Sequence, residues 1–520
     1  SDSIFFRQTR IGSVGADIRY RDLGATIDLT VKKLSQDSVP SLSVKGTLPV
    51  NLAFTSVEER FPDEKQHIRI LSQGFDLSVL DPLHTEFEHV RGMLHADVSV
   101  AGTPRDPEYQ GSIKLTDVDF TFAPNNVPYA LGADLEASRN KIILKNLVVR
   151  NLQAAGTAGE ARMTGSLSIK NYQIDSLDLI ASGQFVLMTE ATKKTRATIY
   201  GTLPAETGAE GLHLVGTIAH PYLSGNLYLQ GANLTSPPAY ETAGSNSQLT
   251  LNYVVIDDTS KPAAQANRSS KFYAGNDLRR TASRPVEDRS PKSTFLDRLR
   301  YDLSIETRGN NAIKMIFTPS TNEELYAELD GKVSLINSQG YASLTGEITV
   351  SPNSYYNFFR RFDASGKLKF VGQWDNPELE IEATYVGYRA DPARDSLQQK
   401  VIVQLNINGT RYEPKLAMSM KVQLQPGEEP TDWSSEAKGG DVQSDAISFI
   451  LTGRFRDELT SRERGDIATN VGSTAGSGFT TGLLSGVLTD FLRQEFPFIR
   501  SAEVNYEGGG VQQGANVRLS

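Results

Sequence analysis

The chain has 520 residues, 38 % of them hydrophobic and 22 % charged, with 43 Gly, 23 Pro and no Cys. The missing Cys excludes a disulfide scaffold, Cys-ligated zinc, an iron–sulfur cluster and a cysteine nucleophile. The net charge of −9 argues against nucleic acid, whose phosphates need clustered cations.

Taken from the N-terminus, Ser1-Asp-Ser-Ile-Phe-Phe is no secretory signal, and no later stretch reaches the roughly 20 apolar residues that span a bilayer. Period-two alternation then sets in. Leu23, Ala25, Ile27, Leu29 and Val31 alternate with small and polar residues, as do Leu94, Ala96, Val98 and Val100. The pattern resumes at Leu303 and Ile305 and again at Ala342, Leu344, Ile348 and Val350. Alternation of this kind gives each strand one apolar and one polar face, and turn residues every ten or so positions suit antiparallel meanders. The expected class is all-β.

Four times a Gly is followed five positions later by a Pro that opens an alternating strand. The copies are Gly102 to Pro107, Gly216 to Pro221, Gly372 to Pro377 and Gly409 to Pro414. Gly permits an unusual backbone angle, and Pro, lacking an N–H, tolerates a strand start. The strands behind them place Tyr109, Ile113 and Leu115 on one face, then Leu223, Leu227 and Leu229. Leu379, Ile381 and Tyr385 follow, then Leu416, Met418, Met420 and Val422. These thirteen are the candidate lining residues.

Three segments interrupt the rhythm. Residues 257–300 are polar and Arg-rich and read as a linker or long loop, with a patch for acidic headgroups as the alternative. Residues 425–442 form a second polar connection. After it, Ile447, Ile450 and Leu451 have helical spacing with Ser444 as the expected N-cap. A Gly/Ser/Thr-rich run at 465–482 leads into Phe479, Leu483, Leu484, Val487, Leu488 and Phe491, one face of a helix suited to docking a partner.

No catalytic signature emerges, and an enzyme is not expected. His84 and His89 lack zinc-site spacing. Gly482-Leu-Leu-Ser-Gly486 resembles a nucleophile elbow but lies in a helical pattern. No cofactor or metal is expected.

A sheet with one apolar face must cover it. Packed pairs of sheets would do so, as would a long sheet bent into a U whose interior holds something other than protein. Some 25–30 strands at about 4.8 Å each would build a trough on the order of 120–150 Å long. In such a trough Leu227→Asp or Met418→Asp is expected to block transfer with a modest effect on folding.

Particular residues resemble a known family. Gly46-Thr-Leu-Pro, the run from Val100 to Leu115, Leu223-Ser-Gly-Asn-Leu-Tyr-Leu and the region Gly346–Leu424 are similar to the TamB family. That family belongs to the AsmA-like, bridge-like lipid-transfer group of diderm bacteria. Ser354-Tyr-Tyr-Asn-Phe-Phe and Asp445-Ala-Ile-Ser-Phe-Ile-Leu-Thr-Gly-Arg454 carry the more specific likeness. The resemblance implies an elongated antiparallel β-taco, a U-shaped groove with an apolar interior, and a few short helices near the C-terminus. It implies a periplasmic conduit holding phospholipid acyl chains between inner and outer membrane. An anchor helix, absent from these 520 residues, would hold the parent protein in the inner membrane, and the C-terminal end would meet an Omp85-type barrel, TamA or BamA-like. The organisation expected is a groove over 1–256, the linker 257–300, further groove over 301–424, the connection 425–442 and a C-terminal segment 443–520. Two alternatives stay open: an assembly factor for outer-membrane barrels, and a structural or adhesive protein of many sandwiches.

Overall fold

The computed structural model describes residues 4–6, 9–34, 37–83, 86–152, 159–195, 198–238, 294–318, 323–338, 341–391, 394–433, 442–460 and 462–463. Their strands join in one sheet of 23, not a row of separate sandwiches. Neighbours follow chain order through β1 (Ile4–Phe6), β2 (Thr9–Arg21), β3 (Gly24–Lys32), β4 (Leu42–Pro49), β5 (His67–Asp76) and β6 (Phe87–Gly102). The order continues with β7 (Pro107–Phe122), β8 (Val127–Arg139), β9 (Lys141–Asn151), β10 (Glu160–Lys170), β11 (Gln173–Met188) and β12 (Tyr200–Thr217). All these pairs are antiparallel.

The next level is divided. β12 pairs with β13 (His220–Gln230) over one half and with β14 (Asn233–Ser236) over the other. These two run parallel to β15 (Arg300–Arg308) and β16 (Ala312–Thr318), a joint that needs the long connection lying between them. Antiparallel order resumes with β17 (Glu323–Asn337), β18 (Ala342–Phe358), β19 (Arg360–Gly372) and β20 (Glu378–Asp391), then β21 (Arg394–Thr410), β22 (Pro414–Gln423) and β23 (Thr431–Asp432). At ~4.8 Å per level the stack is about 100 Å long.

Each Gly-x4-Pro copy is a hairpin. Gly102, Gly216 and Gly409 pair directly with Pro107, Pro221 and Pro414, and the Gly372 copy joins β19 to β20. Gly102 sits at φ +74°, where a Cβ would stand 2.4 Å from the Asp106 carbonyl oxygen, so the turn admits no side chain there. Because strands alternate in direction and the β13–β15 joint is parallel, all four hairpins fall along one rim of the sheet.

The bend of the sheet is written into mid-strand register shifts. They occur between Leu115 and Val118, Ala181 and Gln184, Thr207 and Leu212, Tyr326 and Leu329, and Val350 and Ser354. A bulge bends its strand and frees backbone groups, and small polar side chains on the apolar face take these up. Ser354 Oγ accepts from the Glu328 N–H at 2.9 Å, Thr207 Oγ1 from the Gly183 N–H at 3.1 Å, and Thr307 Oγ1 from the Gly331 N–H at 2.7 Å. At the divided level Asn311 accepts from the Ala232 N–H at 3.0 Å and donates to the Leu229 carbonyl at 3.1 Å. A row of such bends turns long strands into the two arms of a U, the taco-like form.

Several expectations need correction. The segment 257–300 lies outside the described residues up to 293. Its end is not linker, since Phe295–Arg298 forms the helical turn α1, capped by the Thr294 side chain, and Arg300 opens β15. Ser444 is not an N-cap but lies inside α2 (Val442–Thr452), with seven consecutive buried residues from 444 to 450. Its C-terminal Gly453 adopts φ +78° and donates to the Phe449 carbonyl at 2.8 Å, a left-handed glycine stop. The helix expected over Phe479, Leu483, Leu484, Val487, Leu488 and Phe491 lies outside the described residues, as does His84. Among the described residues no helix is long and apolar enough to cross a membrane.

Candidate functional site

The thirteen expected lining residues share one face. On β7, Ile113 lies between Ala96 and Leu135 and Leu115 between Leu94 and Ala133. On β13, Leu223 is flanked by Leu214 and Tyr301, and Leu227 neighbours Ile305. In the C-terminal arm the rows read Ile381, Ile407, Leu416; then Ala383, Leu405, Met418; then Tyr385, Val403, Met420. Leu379 and Val422 flank these rows on β20 and β22.

The opposite face is polar and carries cross-strand ion pairs: Arg69 with Asp97 at 2.9 Å, Lys145 with Glu136 at 2.8 Å, Arg150 with Glu160 at 2.8 Å and Lys367 with Glu347 at 2.7 Å. The Arg69 side-chain hydrogen bond holds the Asp97 carboxyl below its usual range. Arg150, then Arg162, do the same for Glu160. These exposed pairs add little to stability, but they mark which face meets water.

Covering of the apolar face is graded along the stack. From β3 to β8 the large aliphatic side chains Ile27, Ile70, Leu94, Ile113 and Leu115 are only half-buried, while the smaller Val31, Val98 and Val100 are buried. Among the described residues, no cluster of buried apolar side chains has a member before Leu144. Small clusters form around Leu144, Leu177 and Leu179, and around Leu212, Leu227 and Leu303. From Ile313 onward both arms close on one another. Leu379, Ile381, Met420 and Val422 fall to 1–2 % exposure, and Val401, Val403 and Leu405 to none. Tyr356, wholly buried in this part, donates to Glu323 Oε1 at 2.6 Å; desolvation, then the Glu323 charge, raise its pKa well above the usual phenol value.

Helix α2 seals that end. Ala446, Ile447, Phe449 and Ile450 belong to the same core as the two arms. Phe449 lies against Tyr385, ring centroids 6.1 Å apart, and over Gly387, where an added Cβ would come within 2.9 Å of its ring. Arg360 Nε donates to the Ile450 carbonyl at 3.1 Å. Leu227 and Met418, expected to tolerate Asp, are therefore packed against protein at 5 % and 8 % exposure, and a charge there disrupts folding as well as any cargo.

Below α2 lies a group that alternation alone did not single out. Arg389 continues the odd-numbered apolar row of β20, yet it is a cation at 7 % exposure. Its Nε and Nη2 donate to Gln399 Oε1 at 3.0 and 2.8 Å, and its Nη1 pairs with Glu458. The Phe455 ring covers the guanidinium at 3.7 Å. Burial lowers the Arg389 pKa, with Glu458 acting in the opposite direction. A sequence signal existed: Arg389 and Gln399, like Ser354, stand where period two calls for an apolar residue.

The strands are thus one-faced, bent along a line of bulges, and increasingly covered by protein from Leu144 toward the C-terminal end. A family profile for the TamB C-terminal domain matches residues 150–519, more than half of the chain. The chain belongs to the TamB family. Membership places it among the AsmA-like proteins of the cell envelope, and the match takes in the sealed end and the strands that lead to it from β10 onward. Neither the curated proteins nor the solved structures contain a match.

Proposed function

We propose that this TamB-family chain is a non-catalytic conduit whose apolar trough carries phospholipid acyl chains between the inner and outer membranes. An Omp85-type barrel would meet its C-terminal end. The observation that carries the reading is the half-covered apolar face from β3 to β8, set back to back with a face of ion pairs. A protein core of that extent would be closed by side chains from an opposing layer, as it is beyond Ile313. A 16-carbon tail in water costs roughly 12 kcal/mol, at ~0.8 kcal/mol per CH₂, and a trough of half-buried aliphatics removes that barrier step by step while headgroups stay at the seam.

Native mass spectrometry after mild purification is the test. Phospholipid adducts on the intact chain are expected, and their loss on delipidation should leave the fold intact. A chain that carries no lipid, and whose open half excludes apolar dyes as well, would refute the conduit.

A further inference from the structure

Arg389 poses a question that the trough alone does not answer. A buried guanidinium at the end of an apolar row is costly unless paired, and its partner is not part of the wall. Arg389 and Gln399 stand opposite each other on adjacent strands of the sheet, whereas Glu458 lies on the helical turn Arg456–Glu458 that follows α2. The Arg389 side chain is 6 % exposed and that of Glu458 21 %, so a buried cation on the sheet is met by a less buried carboxylate from the segment after α2. Gln399 takes the Nε and Nη2 edge of the fork, leaving Nη1 for one anionic oxygen. Along β20 the same face continues from Arg389 through Gly387 to Tyr385, Ala383 and Ile381, the direction two acyl tails would take from an anion held there.

We propose that Arg389 and Gln399 form a binding site for the phosphodiester of a phospholipid headgroup, that Glu458 occupies this site in the closed state, and that withdrawal of the segment from Val442 to Leu459 exchanges carboxylate for phosphate. The inference rests on the reading of the trough as a lipid carrier. Replacing one oxyanion by another leaves the buried cation paired throughout, and a single charge-assisted bond from Nη1 suits a phosphate oxygen as it does a carboxylate oxygen. Of the three carboxylates that stabilise the charged Arg389, namely Glu458, Asp457 and Asp391, two leave with the segment, which lowers the repulsion an incoming phosphate would meet. The apolar tails would replace Phe449, Ile450 and Phe455 in the core they now fill.

The chain contains two Trp, and Trp433 lies beside the site, its ring 4.7 Å from that of Phe455. With Trp374→Phe, Trp433 becomes a single reporter in the full chain. Vesicles containing phosphatidylglycerol brominated on its acyl chains should quench it weakly. Glu458→Gln, which weakens the internal competitor, should strengthen apparent binding roughly tenfold, the equivalent of one charge-assisted hydrogen bond. Adding Arg389→Lys, which keeps the charge but loses the fork, should remove most of that gain, with melting curves confirming that both variants fold. Brominated diacylglycerol, which has no phosphate, should show no gain from Glu458→Gln. An equal gain for diacylglycerol would reduce Glu458 to a structural latch and overturn the site. Full displacement of quenching by millimolar inorganic phosphate would assign a free-phosphate site and overturn the headgroup reading. Lipid bound by mass spectrometry with Trp433 unquenched in every variant sinks this site alone, whereas no bound lipid at all sinks the carrier.

Discussion

An aspartate at position 113 separates an open trough from a packed core more cleanly than any other single change. Ile113 is half-buried on β7 between Ala96 and Leu135, so its loss removes part of the roughly 1.5–3 kcal/mol that full burial of such a side chain supplies, about 1 kcal/mol. The new carboxylate can hydrate while the trough is empty. Acyl chains in contact with it must strip that water, at a cost of at least about 2–4 kcal/mol, which lowers occupancy past this point by roughly 30-fold or more. The matched change at Leu405, which has no exposed surface, puts an unpaired charge among close-packed side chains and should cost about 3–5 kcal/mol or more of stability. Thermal melts followed by circular dichroism, alongside transfer of fluorescent phospholipid between donor and acceptor vesicles, measure both effects. Ile113→Asp should melt near the parent chain and fail in transfer; Leu405→Asp should melt far below it. An Ile113→Asp chain that unfolds like Leu405→Asp, or that transfers lipid at the parental rate, refutes the reasoning.

Other perturbations test the bend, the packing and the polar face. Ser354→Ala leaves the Glu328 N–H at the bulge without its acceptor and should lower stability by about 1–3 kcal/mol in urea unfolding, while Ser354→Thr should largely retain it. Gly111→Ala drives a Cβ to 2.0 Å from the Asp97 carbonyl oxygen at φ +148°, so a clear drop in melting temperature is expected where a Gly132→Ala control, with open space and no positive φ, shows little change. Phe449→Ala empties the ring site over Gly387 and should cost about 3–5 kcal/mol, with apolar dye binding newly detected at the sealed end. For pH, the Asp97 and Glu160 carboxyls are held below their ordinary values in the folded chain. Their contribution is complete above the usual carboxylate range, near pH 4, and fades as pH falls through the lowered values. Their part in the decline of urea midpoints below about pH 4 should be small because both are exposed, and Asp97→Asn should make that decline only slightly shallower.

Period two in Leu94–Val100 and Ala342–Val350 was enough to read the all-β class and the shared face, because side chains alternate on a strand whatever surrounds it. The Gly-x4-Pro hairpins were legible for a similar local reason: the turn needs a positive φ at Gly and loses nothing at a Pro without an N–H. What covers the face was not legible. Ile113 and Met420 occupy equivalent places in their repeats, yet one is half-buried and the other 2 % exposed; the difference comes from α2 and the opposite arm, tens of residues away. The parallel joint between β13 and β15 left no local trace, since periodicity carries no strand direction. Ser444 suited a cap by type, but the helix begins before it and the residue is buried within it. Arg389 was visible as a break in the apolar row, though its partner Glu458 could be named only once the chain had folded back.

The central claim, that the sheet is open to lipid tails in its first half and filled by protein at its end, is tested most directly by a photo-crosslinking residue placed singly at Ile113 and at Leu405 in the full chain, purified from membranes and analysed by mass spectrometry. Phospholipid attached at position 113, with internal protein crosslinks predominating at 405 as the closed state requires, is the predicted result. Protein crosslinks alone at both positions would contradict it.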